Sequence, residues 1–194
     1  MMFISALATA ALAIGAVSAQ ECTADRRVYL SRFVGIGYNA EGLGNSKKGF
    51  DEVPWGSPDS AGTCLTTIIP NGLGCAIPVA TTGAGTEQFA LETRQVFHKL
   101  TETAVIPFDN GTVLYSVEIQ LGAREIVGLP ATFHGWVYMD FNTDCRIYSA
   151  RAYANVPTSV LGLLFPNTPL PDLMAACKAL PVGGQKREAI EFQA

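Results

Sequence analysis

The sequence predicts an α+β fold in which a mostly antiparallel sheet packs against helices, and three observations lead to it. First, residues 112–121 alternate: Val113, Tyr115, Val117, Ile119 and Leu121 are apolar, while Ser116, Glu118 and Gln120 between them are polar. A period of two marks a strand buried on one face. Second, two further runs follow at once. Residues 133–141 put Phe133, Val137, Met139 and Phe141 on one face and His134, Trp136, Tyr138 and Asp140 on the other; after the polar link Asn142-Thr143-Asp144 a third run spans 146–153. Strands joined by so short a link must run antiparallel. Third, the stretch starting at Thr86 has the 3.6-residue spacing of a helix, with Phe89, Val96, Phe97 and Leu100 on its apolar stripe and Thr93 between them.

Taken from the start, residues 1–19 are apolar, uncharged and end in Val17-Ser18-Ala19, small residues at the spacing a signal peptidase prefers. They are expected to form a secretory signal peptide cut before Gln20. The segment is too short and too alanine-rich for a membrane span, and the roughly 175 residues that follow suffice for one domain with a sizeable core. Residues 23–38 are expected to form a first helix, weakened by two glycines. Residues 39–61, rich in Gly, Ser, Pro and Asp, read as a loop with Trp55 tucked against the domain. The β-branched run 65–69, stopped by Pro70-Asn71-Gly72, reads as the first strand, and 72–85 as turns. Thr86 is then the expected N-cap of the helix, with Glu87 in its first turn. Residues 104–108 read as a strand whose Pro107 marks an edge or a bulge, and Asp109-Asn110-Gly111-Thr112 as a hairpin turn. After the sheet, 158–165 and 170–180 are expected to be helical, and 182–194 to fray.

The run Phe141-Asn-Thr-Asp-Cys-Arg-Ile147, followed by Arg151-Ala-Tyr153-Ala-Asn155, resembles the end of a SnoaL-like domain of the nuclear transport factor 2-like superfamily. Phe108-Asp-Asn-Gly-Thr-Val113 and Gly128-Leu-Pro130 sit where that family places a hairpin turn and the start of its fifth strand. The resemblance extends over about residues 86–164. Together with the leader and the composition, it divides the chain into a signal peptide (1–19), a loop-rich, disulfide-bearing part (20–85), the SnoaL-like core (86–166) and a C-terminal extension (167–194). It also implies a cone: a curved, mostly antiparallel sheet wrapped around two or three helices, enclosing an apolar pocket. Two positions depart from the family. Cys145 stands at the usual turn glycine, and Asn155 stands where many members have an aspartate that takes part in catalysis in epoxide-hydrolysing relatives.

Composition excludes other classes. With 13 Lys and Arg against 17 Asp and Glu and no basic run, the chain lacks the electrostatic footprint of a nucleic-acid or anionic-lipid binder. Its 48% hydrophobic content fits a packed globule and not a disordered tail. No later stretch is long and apolar enough to span a membrane. The five cysteines, Cys22, Cys64, Cys75, Cys145 and Cys177, all follow the leader, where an oxidising compartment favours disulfides. With no C-x-x-C pair and two histidines, no metal site is expected. Cys64 with Cys75 and Cys145 with Cys177 are the guessed pairs, with Cys22 left over. Asn110-Gly-Thr112 is an N-glycosylation acceptor at a hairpin tip, although Asn-Gly also suits the turn itself.

Candidate chemistry is sparse. No nucleophile triad, phosphate loop or dinucleotide fingerprint is present, and no cofactor is implied. Arg151 and Tyr153 share the parity of Ile147, which the family-like pattern turns inward. With Asn155 at the rim and Tyr115 they are the expected ligand-binding residues; the rival reading pairs Arg151 with a carboxylate such as Glu118. His98 is expected at the edge of the helix stripe. His134, Trp136 and Tyr138 fall on the face opposite the apolar one, as an interface for a second copy or, alternatively, an acid–base grouping with Asp140. The expected function is a secreted, extracellular protein that holds a small hydrophobic molecule, as a binder or as an isomerase, cyclase or dehydratase. The alternative is a non-catalytic secreted protein, extracellular or host-interacting, acting through a dimerising or partner-binding surface.

Overall fold

The structure, a computed structural model, describes residues 21–56, 62–70 and 76–155. The expected signal peptide, Cys75, Cys177 and the expected helices at 158–165 and 170–180 lie outside the described residues. The elements in chain order are α1 (Ala24–Asn39), α2 (Asn45–Asp51), β1 (Thr63–Pro70), β2 (Ile77–Thr82), α3 (Gly83–Thr93), β3 (Phe97–Pro107), β4 (Thr112–Ala123), β5 (Val127–Phe141) and β6 (Ile147–Ala154). The strands form one sheet in the order β2-β1-β6-β5-β4-β3, and every neighbouring pair is antiparallel except β1 with β6. This is the α+β architecture the alternating runs predicted: a curved, unclosed, mostly antiparallel sheet with three helices.

The curvature has local causes. Register shifts interrupt the ladder in β3 between Phe97 and Lys99 and between Glu102 and Ala104, in β4 between Gln120 and Gly122, and between β5 and β6 at Asp140–Phe141. Each extra residue bends its strand and raises the local twist. One face of the bent sheet carries Val113, Tyr115, Val117, Ile119, Phe133, Met139, Phe141 and Ile147, all buried, with Leu30 and Val34 of α1 packed on it. Among the described residues no helix is long and apolar enough to cross a membrane.

α1 starts where the sequence placed it, with Thr23 accepting a hydrogen bond from the Arg26 amide at 3.3 Å and Asp25 in the first turn. Its two glycines serve packing. A Cβ on Gly35 would stand 2.1 Å from the Tyr115 hydroxyl, and one on Gly49 of α2 would stand 2.7 Å from the Gly37 Cα, so α1 and α2 cross backbone to backbone. α2 itself lies inside the expected 39–61 loop. It has no side-chain cap and only seven residues; what holds it is the fully buried Phe50. β2 likewise replaces expected turns, as an edge strand where Pro78 loses no ladder bond.

The helix expected from Thr86 begins earlier and ends sooner. Thr82 is the N-cap, accepting from the Gly85 amide at 3.1 Å, and α3 stops at Thr93. Phe97 and Leu100 belong to β3, three positions apart yet both buried, because the bulge at His98 adds a residue between them. A bulged strand thus imitates a helical stripe.

Cysteine pairing also differs. Cys22, ahead of α1, is bonded to Cys145 in the β5–β6 turn, so Cys22 is not the spare and Cys145 is not joined to Cys177. Cys64 is a buried free thiol, so the guessed Cys64–Cys75 bond is not formed. Cys145 adopts a left-handed backbone, φ 59°, at the position where the resembling family keeps glycine. Asn142 organises that turn: its side-chain oxygen accepts the amides of Asp144 at 3.0 Å and Arg146 at 2.9 Å.

Candidate functional site

The cavity lies between α1, α3 and the inner face of the sheet. It measures about 90 Å³ and is walled by Val34 and Tyr38 of α1, Phe89 and Thr93 of α3, and Phe97, Leu100, Tyr115, Val117, Ile119, Phe133, Gly135, Val137, Ala152 and Ala154 of the sheet. Alternation explains the wall, since the odd-numbered residues of β4 and β5 point inward. At Gly135 a Cβ would meet the Val117 and Ile119 side chains at 3.4 and 3.5 Å and the Tyr153 carbonyl oxygen at 3.8 Å, so the glycine leaves that much of the wall open.

Polar groups reach this wall in two places. The Tyr38 hydroxyl lies 2.8 Å from Thr93 Oγ1, and Thr93 in turn donates to the carbonyls of Phe89 at 3.0 Å and Ala90 at 3.1 Å. Because the threonine proton is directed at the helix backbone, Tyr38 is the donor of the pair. Burial raises its pKa to about 12, against smaller opposite contributions from Thr93 and Arg94. Tyr115, 2% exposed, is also pushed up to about 12, by burial first and then by Glu102, with Arg32 acting the other way. No described residue hydrogen-bonds its hydroxyl.

An open groove of about 520 Å³ lies on the other side of Tyr115, between α1 and β3. Its lining is Arg32, Gly35, Ile36, Asn39, Ala40, Leu100, Glu102 and Tyr115. Arg32 and Glu102 pair across it at 3.0 Å, and Asn39 is fixed by bonds to the backbone of Leu100, 2.6 Å to its oxygen and 2.9 Å from its amide.

Of the residues singled out in the sequence, Tyr115 stands in the cavity wall, whereas Arg151 does not. Asp140 pairs with Ser149 but Phe141 pairs with Ile147, leaving Tyr148 as an extra residue in β6. A one-residue shift turns every later side chain to the opposite face, so Ile147 is buried in the core while Arg151 and Tyr153 face outward. Arg151 binds Asp140 at 2.9 and 3.0 Å and lies 5.8 Å from the Tyr138 ring centroid. It pairs with a carboxylate on the neighbouring strand, as the rival reading held, but with Asp140 and not Glu118. Tyr153 borders the cavity, yet its ring meets Tyr138 edge-on at 5.6 Å on the outer face. Asn155 follows β6, its amide donating to the His134 carbonyl at 2.9 Å.

His134, Trp136 and Tyr138 share the outer face, with His134 and Trp136 rings stacked at 6.3 Å and His134 Nε2 4.0 Å from Glu118. His98 is on β3 instead of a helix, its Nδ1 2.6 Å from the Arg124 carbonyl. Among the described residues no group of three His, Cys, Asp or Glu is placed to hold a metal ion.

Sequence reasoning passed over Arg94. It is 1% exposed, donates to the carbonyls of Phe97 at 2.5 Å and Ala40 at 3.2 Å, and pairs with Glu125 at 3.2 Å, which also receives Arg124 at 3.3 Å. Burial, and then the Arg124 charge, lower its pKa. It ties α3, the 40–42 segment and the β4–β5 turn together. An arginine ending a helix gives no sign of this in the sequence.

No family model matches the chain, and no curated protein matches it. Among solved structures it is similar to a de novo designed protein with a curved β-sheet, at TM-score 0.50 and 9% identity, covering 78% of this chain and 98% of that one. The fold is the curved-sheet one. A steroid delta-isomerase from Pseudomonas aeruginosa aligns at TM-score 0.47 and 14% identity over 77% of this chain and 93% of its own. A putative isomerase of the SnoaL-like family from Agrobacterium tumefaciens aligns at 0.44 and 11%, over 67% and 97%. At these identities the likeness concerns the fold alone and assigns no activity. The curved-sheet fold the SnoaL-like resemblance implied is the one this chain adopts.

Proposed function

We infer that this chain binds a small hydrophobic molecule in the cavity between α1, α3 and the sheet. The observation that carries this reading is the cavity wall: hydrocarbon nearly throughout, with Tyr115 at its edge, whose hydroxyl no described residue engages. Such a site is the ordinary form of a small-molecule pocket, apolar with a few directed polar groups. Binding without turnover is the favoured form. The lining holds no carboxylate or histidine, and Tyr38 and Tyr115 keep their protons to well above neutral pH, so neither of these two is a general base there.

Native mass spectrometry of the purified protein tests this. The expected result is an apolar molecule carried through purification. A Tyr115→Phe variant, which keeps the ring, should bind that molecule about 5- to 10-fold more weakly, the loss of one hydrogen bond to a buried group. Equal affinities would remove the hydroxyl from the site, and a wild-type protein that carries and takes up no apolar molecule would end the reading.

The proposed location is outside the cell. The apolar leader at residues 1–19 and the Cys22–Cys145 disulfide both suit an oxidising compartment. In a eukaryotic source Asn110, exposed at the β3–β4 tip, would be the glycan acceptor.

A second reading rests on the outer face, where Leu65, Trp136 and Tyr153 are 47%, 39% and 38% exposed. Trp136 and Tyr153 lie directly opposite each other, and paired exposed aromatic rings of this kind suit a contact surface. They support a surface-acting, self-associating protein, compatible with a filled or an empty cavity.

A further inference from the structure

We propose that the groove between α1 and β3 is the mouth of the cavity, and that the ligand is an uncharged amphiphile whose hydroxyl-bearing head sits in the groove and whose apolar body passes Tyr115 into the cavity. This rests on the cavity reading above and names its ligand class.

Two side chains line both spaces, Leu100 and Tyr115, so the groove and the cavity are back to back across a partition one side chain thick. The helix presents a different stripe to each. Arg32, Gly35, Ile36 and Asn39 lie at i, i+3, i+4 and i+7 and face the groove, while Val34 and Tyr38, one turn apart, face the cavity. Gly35 brings the floor of the groove against the Tyr115 hydroxyl, where any larger residue would collide with it. That hydroxyl, without a partner among described residues, is therefore poised at the partition.

The chemistry of the two spaces differs in kind. The cavity is apolar. The groove has an apolar rim, with Ile36 54% exposed, beside a cation and an anion that pair with each other. Arg32 and Glu102 together supply donors and acceptors with no net charge, so a charged head would be attracted by one and repelled by the other. A hydroxyl, which both donates and accepts, can use both. An apolar body longer than the small cavity then extends across Tyr115 without leaving hydrocarbon in water.

The test is an NMR titration of the isotopically labelled full chain with octan-1-ol and, separately, cyclohexane. Octan-1-ol should shift amides of both spaces, Gly35, Asn39 and Glu102 together with Val117 and Gly135, at one common affinity. Cyclohexane should shift those of the cavity alone. Replacing both charges, Arg32→Ala with Glu102→Ala, should weaken octan-1-ol about 5-fold or more and leave cyclohexane unchanged. Ile36→Asp, on an exposed position that the fold tolerates, should weaken octan-1-ol in the same sense. Octan-1-ol shifts confined to one space, or affinities indifferent to all three substitutions, would overturn the mouth while leaving the cavity reading intact. If cyclohexane also fails to reach the cavity, the cavity reading falls, and the mouth falls with it.

Discussion

Tyr38 and Tyr115 are the two residues whose environment sets a measurable threshold. Both hold their protons to about 12 against an ordinary tyrosine value of 10.0, with burial as the largest cause. An unfolded tyrosine loses its proton at the lower value, so alkali favours the unfolded chain. The contribution is whole below pH 10 and is lost as pH rises through about 12. Each ring should account for on the order of 2 kcal/mol over that window. The expected result is an unfolding transition by circular dichroism between these values, coincident with delayed tyrosinate absorbance from two rings. Tyr38→Phe and Tyr115→Phe should each move it to higher pH; a transition indifferent to both would mean that neither ring is sealed from water. At this scale the sequence was legible where alternation alone decides direction, as at Tyr115, Trp136 and Tyr138. It was not legible at Arg151, because the residue that reverses its direction is Tyr148, and nothing in the composition of β6 announces an extra residue.

At the scale of elements, the crossing of α1 and α2 depends on glycines that propensity counts against. Gly49→Ala should raise the helix propensity of α2 yet destabilise the protein by about 1–3 kcal/mol, since the new methyl meets the Gly37 backbone, which cannot turn away as a side chain can. Chemical denaturation checks it, and a stabilised variant would show that the helices do not cross as closely as described. The same elements show why part of the fold stayed hidden. α2 is held by one buried ring, Phe50, and by packing on α1, neither of which is a local signal. The helix expected through Leu100 was misread because the bulge at His98 spaces two inward-facing strand residues by three. β4 was legible almost to its end, and β5 from Phe133 to Phe141, while its first residues, 127–132, carry Gly128 and Pro130 and lack the alternation.

For the whole molecule, the outer face of the sheet is where large apolar side chains meet solvent. Trp136 and Tyr153 are directly opposite each other across β5 and β6, and Leu65 extends the exposed apolar face on β1, opposite Ser149. Trp136→Glu should convert a dimer to monomer in size-exclusion chromatography with attached light scattering, at little cost to the fold because the ring is already partly in water. A wild-type protein that runs as a monomer at every concentration would sink the self-association reading. Chain order imposes a further demand. β1 finds its parallel partner in β6, the last described strand, and the thiol of Cys22 waits for one 123 residues later. At the pace of ribosomal synthesis, roughly 5–20 residues per second, that interval is on the order of ten seconds. β1 has no parallel partner until β6 is made, and Cys64 and Cys75 both precede Cys145 in the chain, so Cys22 meets them first. The junction of the β1–β2 pair with the rest of the sheet therefore waits for the youngest strand. A maturing chain has to keep its first cysteine uncommitted, or exchange an early wrong bond, until its final hairpin has been made.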